Sequence, residues 1–277
     1  MEINHVNHVT AFLKSIKGRR YFYETLKSQN IDFIDKAFAS MDSFFEQNPY
    51  WSTSSQTRGK CRGFVPIRKN GIKAAEEGKS LEVPLARALA KANKYHNEMP
   101  ILSGIGNNSK SNKKRSIDLV TDSHELIELK AWEGGDSPLY AIVEVLLYLR
   151  GFLCVREKDK ELKTRNHEHW KDWEDFDVTV MAPDEYFTRK WLPENKQLEL
   201  FLALVGKIEY KAKEIYPGKL KGLYIKELTI QRQDFISAVA PNERALTDKT
   251  NTVSLTQNLY EKLNLTNPTT CKILYPR

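Results

Sequence analysis

The sequence predicts an α/β protein, a mixed β-sheet flanked by helices, with an additional N-terminal helical region. Apolar residues recur at helical spacing through the first fifty positions. Four short apolar runs typical of strands then follow, together with long apolar or amphipathic helical segments. Strands and helices combined along one chain of 277 residues indicate a layered structure with a sizeable core.

Three regions are predicted along the chain. Residues 1–55 form a helical N-terminal region, residues 56–235 an α/β core, and residues 236–277 a C-terminal extension. The first boundary rests on residues 49–63, where Ser, Thr, Gln and Gly interrupt the helical periodicity. The C-terminal extension has only weak helical periodicity, near residues 255–263.

The core is predicted to open with a helix that begins at Ser80. Ser is a favoured N-cap residue, and Pro84 falls in the first turn, where proline is tolerated. Glu82 lies three residues before Leu85 and therefore on the same, inward side of the helix. The apolar side is formed by Leu85, Ala86, Leu89 and Ala90.

Two β-like runs, residues 116–121 and 126–132, are joined by residues 122–125 and predict a hairpin. Alternation places Leu126, Glu128 and Lys130 on one face of the second strand. An almost wholly apolar helix is predicted next, over residues 139–155. The second strand is therefore expected to be covered on both faces, where two charged side chains need a physical reason.

The remaining elements of the core follow the same logic. Residues 176–182 read as a third strand, which Pro183 stops. A long amphipathic helix is expected from residue 194 to residue 216, where a Pro-Gly pair ends it. Residues 223–230 predict a fourth strand.

Composition excludes several classes of protein. The three cysteines are odd in number and far apart, which argues against a disulfide framework and a Cys-based zinc site. No apolar run approaches the roughly 18 residues of a membrane span, and the N-terminus does not resemble a secretory signal. The expected location is cytoplasmic, without a membrane partner.

The net charge of +7 is unevenly distributed. Residues 56–115 contain fourteen Lys and Arg against four acids, a net of +10, so the rest of the chain carries −3. A basic segment on a slightly acidic body favours an acidic partner such as nucleic acid. The part nearest the hairpin is a basic loop whose predicted nucleic-acid-binding residues are Lys110, Lys113, Lys114 and Arg115.

Carboxylates on the two hairpin strands predict a divalent metal site. Asp118 lies ten residues before Glu128, and antiparallel pairing can bring both carboxylates to one end of the hairpin. Oxygen ligands of this kind suit Mg²⁺. Lys130 would neighbour a metal-bound water, and the inward Glu82 would add a third carboxylate.

This arrangement resembles the PD-(D/E)xK nuclease superfamily, which has the restriction-endonuclease-like fold. The resemblance consists of a helix with an inward Glu82, a strand containing Ile117-Asp118, a strand with Glu128-x-Lys130, and an apolar helix next. It implies that Asp118 and Glu128 bind Mg²⁺, that Lys130 assists the attacking water, and that Glu82 completes the metal site. Mn²⁺ is the expected substitute metal.

The match covers roughly residues 80–230 and departs from the family pattern in two places. Ile117 stands where proline is usual. Some members carry Gln-x-x-x-Tyr on the helix that follows, and here the corresponding residues are Glu144 and Tyr148, one turn apart. Glu144 is expected to be either a fourth acid near the metal or a buried partner for Lys130, with Tyr148 behind it.

The sequence thus predicts a Mg²⁺-dependent nuclease that cleaves DNA, with an endonuclease favoured over an exonuclease. A homodimer is compatible with this function. The alternatives are a catalytically inactive nuclease-fold module that binds nucleic acid, and a protein-interaction module whose basic segment is incidental. An exposed Glu128–Lys130 ion pair would be worth well under about 1 kcal/mol and would carry no function.

Overall fold

The computed structural model of the chain describes residues 8–47, 72–73, 80–93, 95–101, 115–158, 173–239, 252–253, 257–265 and 271–276. A π-helix spans Tyr186–Trp191. The α-helices are α1 His8–Ile16, α2 Arg19–Ser28, α3 Asp32–Gln47, α4 Glu82–Asn93, α5 Pro138–Lys158, α6 Asn195–Ile215, α7 Arg232–Val239 and α8 Gln257–Lys262. The strands are β1 Ile72–Lys73, β2 His96–Ile101, β3 Arg115–Val120, β4 Glu125–Leu129, β5 Phe176–Pro183, β6 Leu220–Leu228, β7 Thr252–Val253 and β8 Cys271–Tyr275.

Six of these strands form one mixed sheet in the order β2-β3-β4-β5-β6-β8. The pairs β2–β3, β3–β4 and β6–β8 are antiparallel, and β4–β5 and β5–β6 are parallel. The parallel pair β4–β5 requires a crossover, which α5 supplies. The short strands β1 and β7 pair with each other in a separate two-stranded sheet.

Two hydrophobic clusters cover the two faces of the sheet. One contains residues of α1, α2, α3, α5 and α6, and the other contains residues of α4, α7 and α8. Strand β4 contributes to both clusters because its side chains alternate between the two faces of the sheet. Leu126 belongs to the first cluster, and Ile127 and Leu129 belong to the second. All five residues of β4 are buried. The prediction of a mixed sheet flanked by helices, with β4 covered on both faces, is therefore confirmed.

The elements predicted for the core are present, with shifted ends. The hairpin consists of β3 and β4, but β4 ends at Leu129 rather than at residue 132. The backbone N–H of Lys130 still donates to Met181 O of β5 at 2.9 Å, after which Gly134 N donates to Ala131 O and the chain turns. Strand β4 thus ends within the Glu-x-Lys sequence, and Lys130 lies just past its last residue, at the C-terminal end of the strand.

The N-terminal helices share the first hydrophobic cluster with the core helices. Phe22 of α2 is fully buried and makes an edge contact with Trp191, with ring centroids 5.4 Å apart. Arg150 of α5 forms an ion pair with Asp42 of α3 at 2.6 Å. The predicted boundary near residue 55 lies outside the described residues, and the division into three regions stays a prediction. None of the described helices is both long enough and apolar enough to cross a membrane.

Candidate active site

Asp118 is fixed beside the end of β4 because the β3–β4 ladder opens there. The paired residues are Leu119 with Ile127 and Val120 with Leu126. One step further, the Asp118 side chain takes over from the backbone, and its Oδ2 accepts the N–H of Leu129 at 2.9 Å. The carboxylate of Asp118 is therefore held next to the residue that separates Glu128 from Lys130.

Glu128 and Lys130 belong to a buried hydrogen-bond network with α5. Lys130 Nζ lies 2.5 Å from Glu128 Oε1 and 3.2 Å from Glu144 Oε2. Tyr148 donates its hydroxyl to Glu144 Oε1 at 3.0 Å. The exposed fractions are 4% for Glu128 and Lys130 and 2% for Glu144 and Tyr148. This degree of burial excludes a solvent-exposed ion pair and confirms Glu144 as a buried partner of Lys130.

The start of α5 explains why Glu144 faces Lys130. The Ser137 hydroxyl accepts the N–H of Tyr140 at 3.1 Å, which caps the helix, and Pro138 occupies its first position. Glu144 and Tyr148 then lie one turn apart on one side of the helix. The Tyr140 ring also approaches the ammonium, with Lys130 Nζ 5.9 Å from the ring centroid.

Glu82 is the first residue of α4, which packs on the face of the sheet opposite α5. The N–H of Glu82 bonds to Ser80 Oγ at 3.2 Å, so the predicted serine stabilises the start of α4. The side chain is partly buried. Its charge contributes to the pKa shifts of both Asp118 and Lys130. Glu82 therefore lies within electrostatic range of Asp118 and Lys130.

Burial and mutual repulsion raise the pKa values of the acids. Burial raises the pKa of Asp118 to about 8, with a further increase from Glu82, while Lys130 opposes the shift. Burial and then Glu144 raise the pKa of Glu128 well above its usual range. Burial lowers the pKa of Lys130, but Glu128 and Glu144 outweigh it, and the net pKa is well above the usual value. The cluster therefore combines a persistent ammonium with more carboxylates than it can neutralise.

One carboxylate oxygen of the cluster lacks a hydrogen-bond partner in the part of the chain that the structure describes, which suits the cluster to binding a divalent cation. Among the described residues, Glu128 Oε2 is buried and has no hydrogen-bond partner. A buried carboxylate oxygen without a partner is costly, and a bound cation would supply one. Asp118 and Glu128 offer the hard oxygen ligands that Mg²⁺ prefers. Within the described part of the chain, no group of three or more His, Cys, Asp or Glu is arranged to hold a metal, so these two residues are the candidate pair.

The sequence did not reveal Tyr186 and Lys190, which lie on the π-helix near the same edge. Tyr186 is fully buried, and burial raises its pKa while the Lys130 charge opposes the shift. Its hydroxyl donates to Asp136 O at 2.6 Å. Only the place of these residues in the chain could have indicated them. The π-helix follows the end of β5, and the carboxyl ends of the parallel neighbours β4 and β5 lie at the same side of the sheet.

The predicted nucleic-acid-binding loop falls largely outside the described residues. Arg115 is the first residue of β3, which enters the site through Asp118. The loop therefore leads directly into the strand that carries a candidate ligand, and its role in binding stays a prediction. The residues outside the described ranges are Lys110, Lys113 and Lys114.

Comparisons of the chain with protein-family models, with curated proteins and with solved structures find no significant match.

Proposed function

We propose that the protein is a Mg²⁺-dependent nuclease with a restriction-endonuclease-like core that hydrolyses phosphodiester bonds in DNA. The observation that carries the proposal is the meeting of Asp118, Glu128 and Lys130 at one edge of the sheet, with Glu128 Oε2 buried and without a partner among the described residues. A metal held by two carboxylates can polarise a phosphoryl oxygen and acidify a bound water, and a neighbouring ammonium can stabilise the negative charge that develops.

The order of the elements supports the proposed fold. Helix α4 with Glu82, the hairpin β3–β4 with Asp118 and Glu128, and the apolar helix α5 occur in the order that the family resemblance implies, with β2 between α4 and β3. The parallel crossover from β4 through α5 to β5 places Glu144 next to Lys130. Connectivity and side-chain placement therefore agree with the same family.

Asp118 and Glu128 would hold the metal, with Glu82 as an auxiliary ligand. A bound Mg²⁺ supplies Lewis-acid polarisation of a phosphoryl oxygen and a more acidic bound water. Mn²⁺, which also accepts oxygen ligands, is expected to substitute.

Lys130 contributes a fixed positive charge rather than a base. Its ammonium is held by Glu128 and Glu144, and both acids keep its pKa high. A charge in this position stabilises the hydroxide that attacks phosphorus and the negative charge that develops on the phosphoryl oxygens. Tyr148 donates a hydrogen bond to Glu144, and Glu144 in turn fixes the orientation of the Lys130 side chain.

One observation favours the second candidate, a catalytically inactive module of the same fold. Lys130 is 4% exposed and is already bonded to two acids, an arrangement that also serves as a buried structural ion triad. An inactive module would bind nucleic acid in a salt-sensitive manner without cleaving it.

Cleavage of supercoiled plasmid and linear DNA in Mg²⁺, Mn²⁺ and EDTA tests the proposal. Asp118→Asn keeps an oxygen that can accept the Leu129 N–H but removes the charge, so we expect at least a hundredfold loss of cleavage. Asp234→Asn, which alters an exposed ion pair with Lys262, is the matched control and should cleave normally. Equal cleavage by wild type and Asp118→Asn would refute the assigned site, and salt-sensitive binding without cleavage would favour the inactive module.

A further inference from the structure

We infer that Lys190 and Tyr186 of the π-helix are positioning residues that clamp the loop after β4 and thereby hold Lys130 in place. This inference rests on the proposed function and extends it to residues outside the predicted site. The clamped loop is residues 131–137, which directly follow Lys130 and lead into α5. It therefore joins the two elements that carry Glu128, Lys130 and Glu144.

The clamp consists of backbone contacts that the loop cannot make internally. Lys190 Nζ donates to the carbonyl oxygens of Glu133 at 3.0 Å and of Gly134 at 2.6 Å. The Tyr186 hydroxyl donates to the carbonyl oxygen of Asp136 at 2.6 Å. Three carbonyls within four consecutive residues are thus held by two side chains of a single π-helical segment.

Gly134 shows how closely the π-helix approaches the loop. A Cβ at this position would lie 3.1 Å from Cε2 of the Tyr186 ring, 3.0 Å from Ala131 O and 3.5 Å from the Cβ of Lys130. A side chain at position 134 would crowd the Tyr186 ring and Ala131 O, so the close packing of the loop against the π-helix favours glycine. A displacement of either partner would therefore be transmitted to Lys130.

The N-terminal helices brace the π-helix and the loop from the outside. Arg19 donates to the carbonyl oxygen of Lys190, and the Tyr23 hydroxyl donates to Trp191 O at 2.9 Å. Lys17 pairs with Asp136 at 2.5 Å. The N-terminal helical region thus supports the π-helix, whose side chains clamp the loop next to the candidate active site. A π-helix is rare and is often found at functional sites, which agrees with this role.

Lys190→Met removes both hydrogen bonds of the lysine while keeping most of its aliphatic chain. We expect kcat for DNA cleavage to fall about tenfold or more with KM and Mg²⁺ dependence unchanged. Lys190→Arg, whose guanidinium can also reach two carbonyls, should restore most of the activity. Arg189→Met is the matched control, because Arg189 lies on the same π-helix, is mainly exposed and pairs with Glu185.

Amide hydrogen exchange gives a readout that does not depend on cleavage. We expect exchange in the peptide covering residues 131–137 to rise about tenfold in Lys190→Met and to stay unchanged in Arg189→Met. Unchanged exchange in Lys190→Met would overturn the clamp, whether or not the protein cleaves DNA. Raised exchange with wild-type kcat would overturn the positioning role and leave the proposed nuclease intact, whereas a wild type without cleavage would refute the proposed function itself.

Discussion

Replacement of Lys130 by Met removes the ammonium that is bonded to both Glu128 and Glu144. Both acids are almost fully buried, with exposed fractions of 4% and 2%. Removing one partner from a buried ion pair typically destabilises a protein by about 3–5 kcal/mol, since the remaining charge stays in a medium of low polarity. We expect Lys130→Met to lose that much free energy of unfolding at neutral pH.

The loss should depend on pH in a defined direction. Burial and Glu144 raise the folded-state pKa of Glu128 above its unfolded value, so the folded protein binds this proton more tightly than the unfolded chain. Lys130 lowers this pKa, so its removal raises the folded pKa of Glu128 further, and the extra destabilisation of Lys130→Met grows as the pH rises. Lys130→Met should be closer to wild type at pH 5 than at pH 7.5.

Urea unfolding followed by circular dichroism at the two pH values measures the effect. Lys262→Met is the control, because its ion pair with Asp234 at 2.8 Å is exposed and should contribute less than about 1 kcal/mol. The double variant Glu128→Gln/Lys130→Met should regain part of the lost stability, since it removes one unpaired charge. A loss below about 1 kcal/mol in Lys130→Met, or an equal loss at both pH values, would refute the buried triad.

Three further predictions concern stability and reactivity. Burial raises the folded pKa of Asp118 to about 8, so its ionisation at higher pH costs stability. In EDTA, Asp118→Asn should therefore raise the free energy of unfolding by about 1–3 kcal/mol at pH 8.5 and have little effect at pH 4. Urea unfolding measures this, and an equal change at both pH values would contradict it. Burial raises the pKa of Cys271 to about 11, so its alkylation by iodoacetamide, followed by peptide mass spectrometry, should be slow at pH 7.5 and accelerate towards pH 11. Phe22→Ala should destabilise the core by about 3–5 kcal/mol in one cooperative transition, and a separate early transition in calorimetry would show that the N-terminal helices fold independently.

The sequence was sufficient to predict the core wherever the pattern was local. The alternation of Leu126 to Lys130 predicted which side chains share each face of β4, and the apolar helix that follows indicated that both faces are covered. Ser80 and Pro84 predicted the start of α4 within two residues. The proximity of Asp118 to Glu128 could be expected from the same patterns, because the two residues lie on neighbouring strands of one hairpin.

Elements that depend on distant contacts could not be predicted. Strand β8 joins the sheet beside β6, yet only Leu274 among its five residues is buried, so it has no alternating pattern. The π-helix has no characteristic periodicity, and its role near Lys130 arises from contacts between Lys190 and a loop 56 and 57 residues earlier in the chain. Glu144 could be placed on its helix, but its contact with Lys130 depends on the packing of α5 against β4.

Calorimetric titration with Mg²⁺ tests the central claim most directly, namely that Asp118 and Glu128 form a divalent cation site. The account predicts a binding isotherm for the wild type and for Asp234→Asn, and its loss in both Asp118→Asn and Glu128→Gln. Bound Mg²⁺ should also raise the melting temperature of the wild type and of Asp234→Asn, and it should leave the melting temperatures of Asp118→Asn and Glu128→Gln unchanged. Identical isotherms for the wild type and the two site variants, or no binding by the wild type at millimolar Mg²⁺, would contradict it.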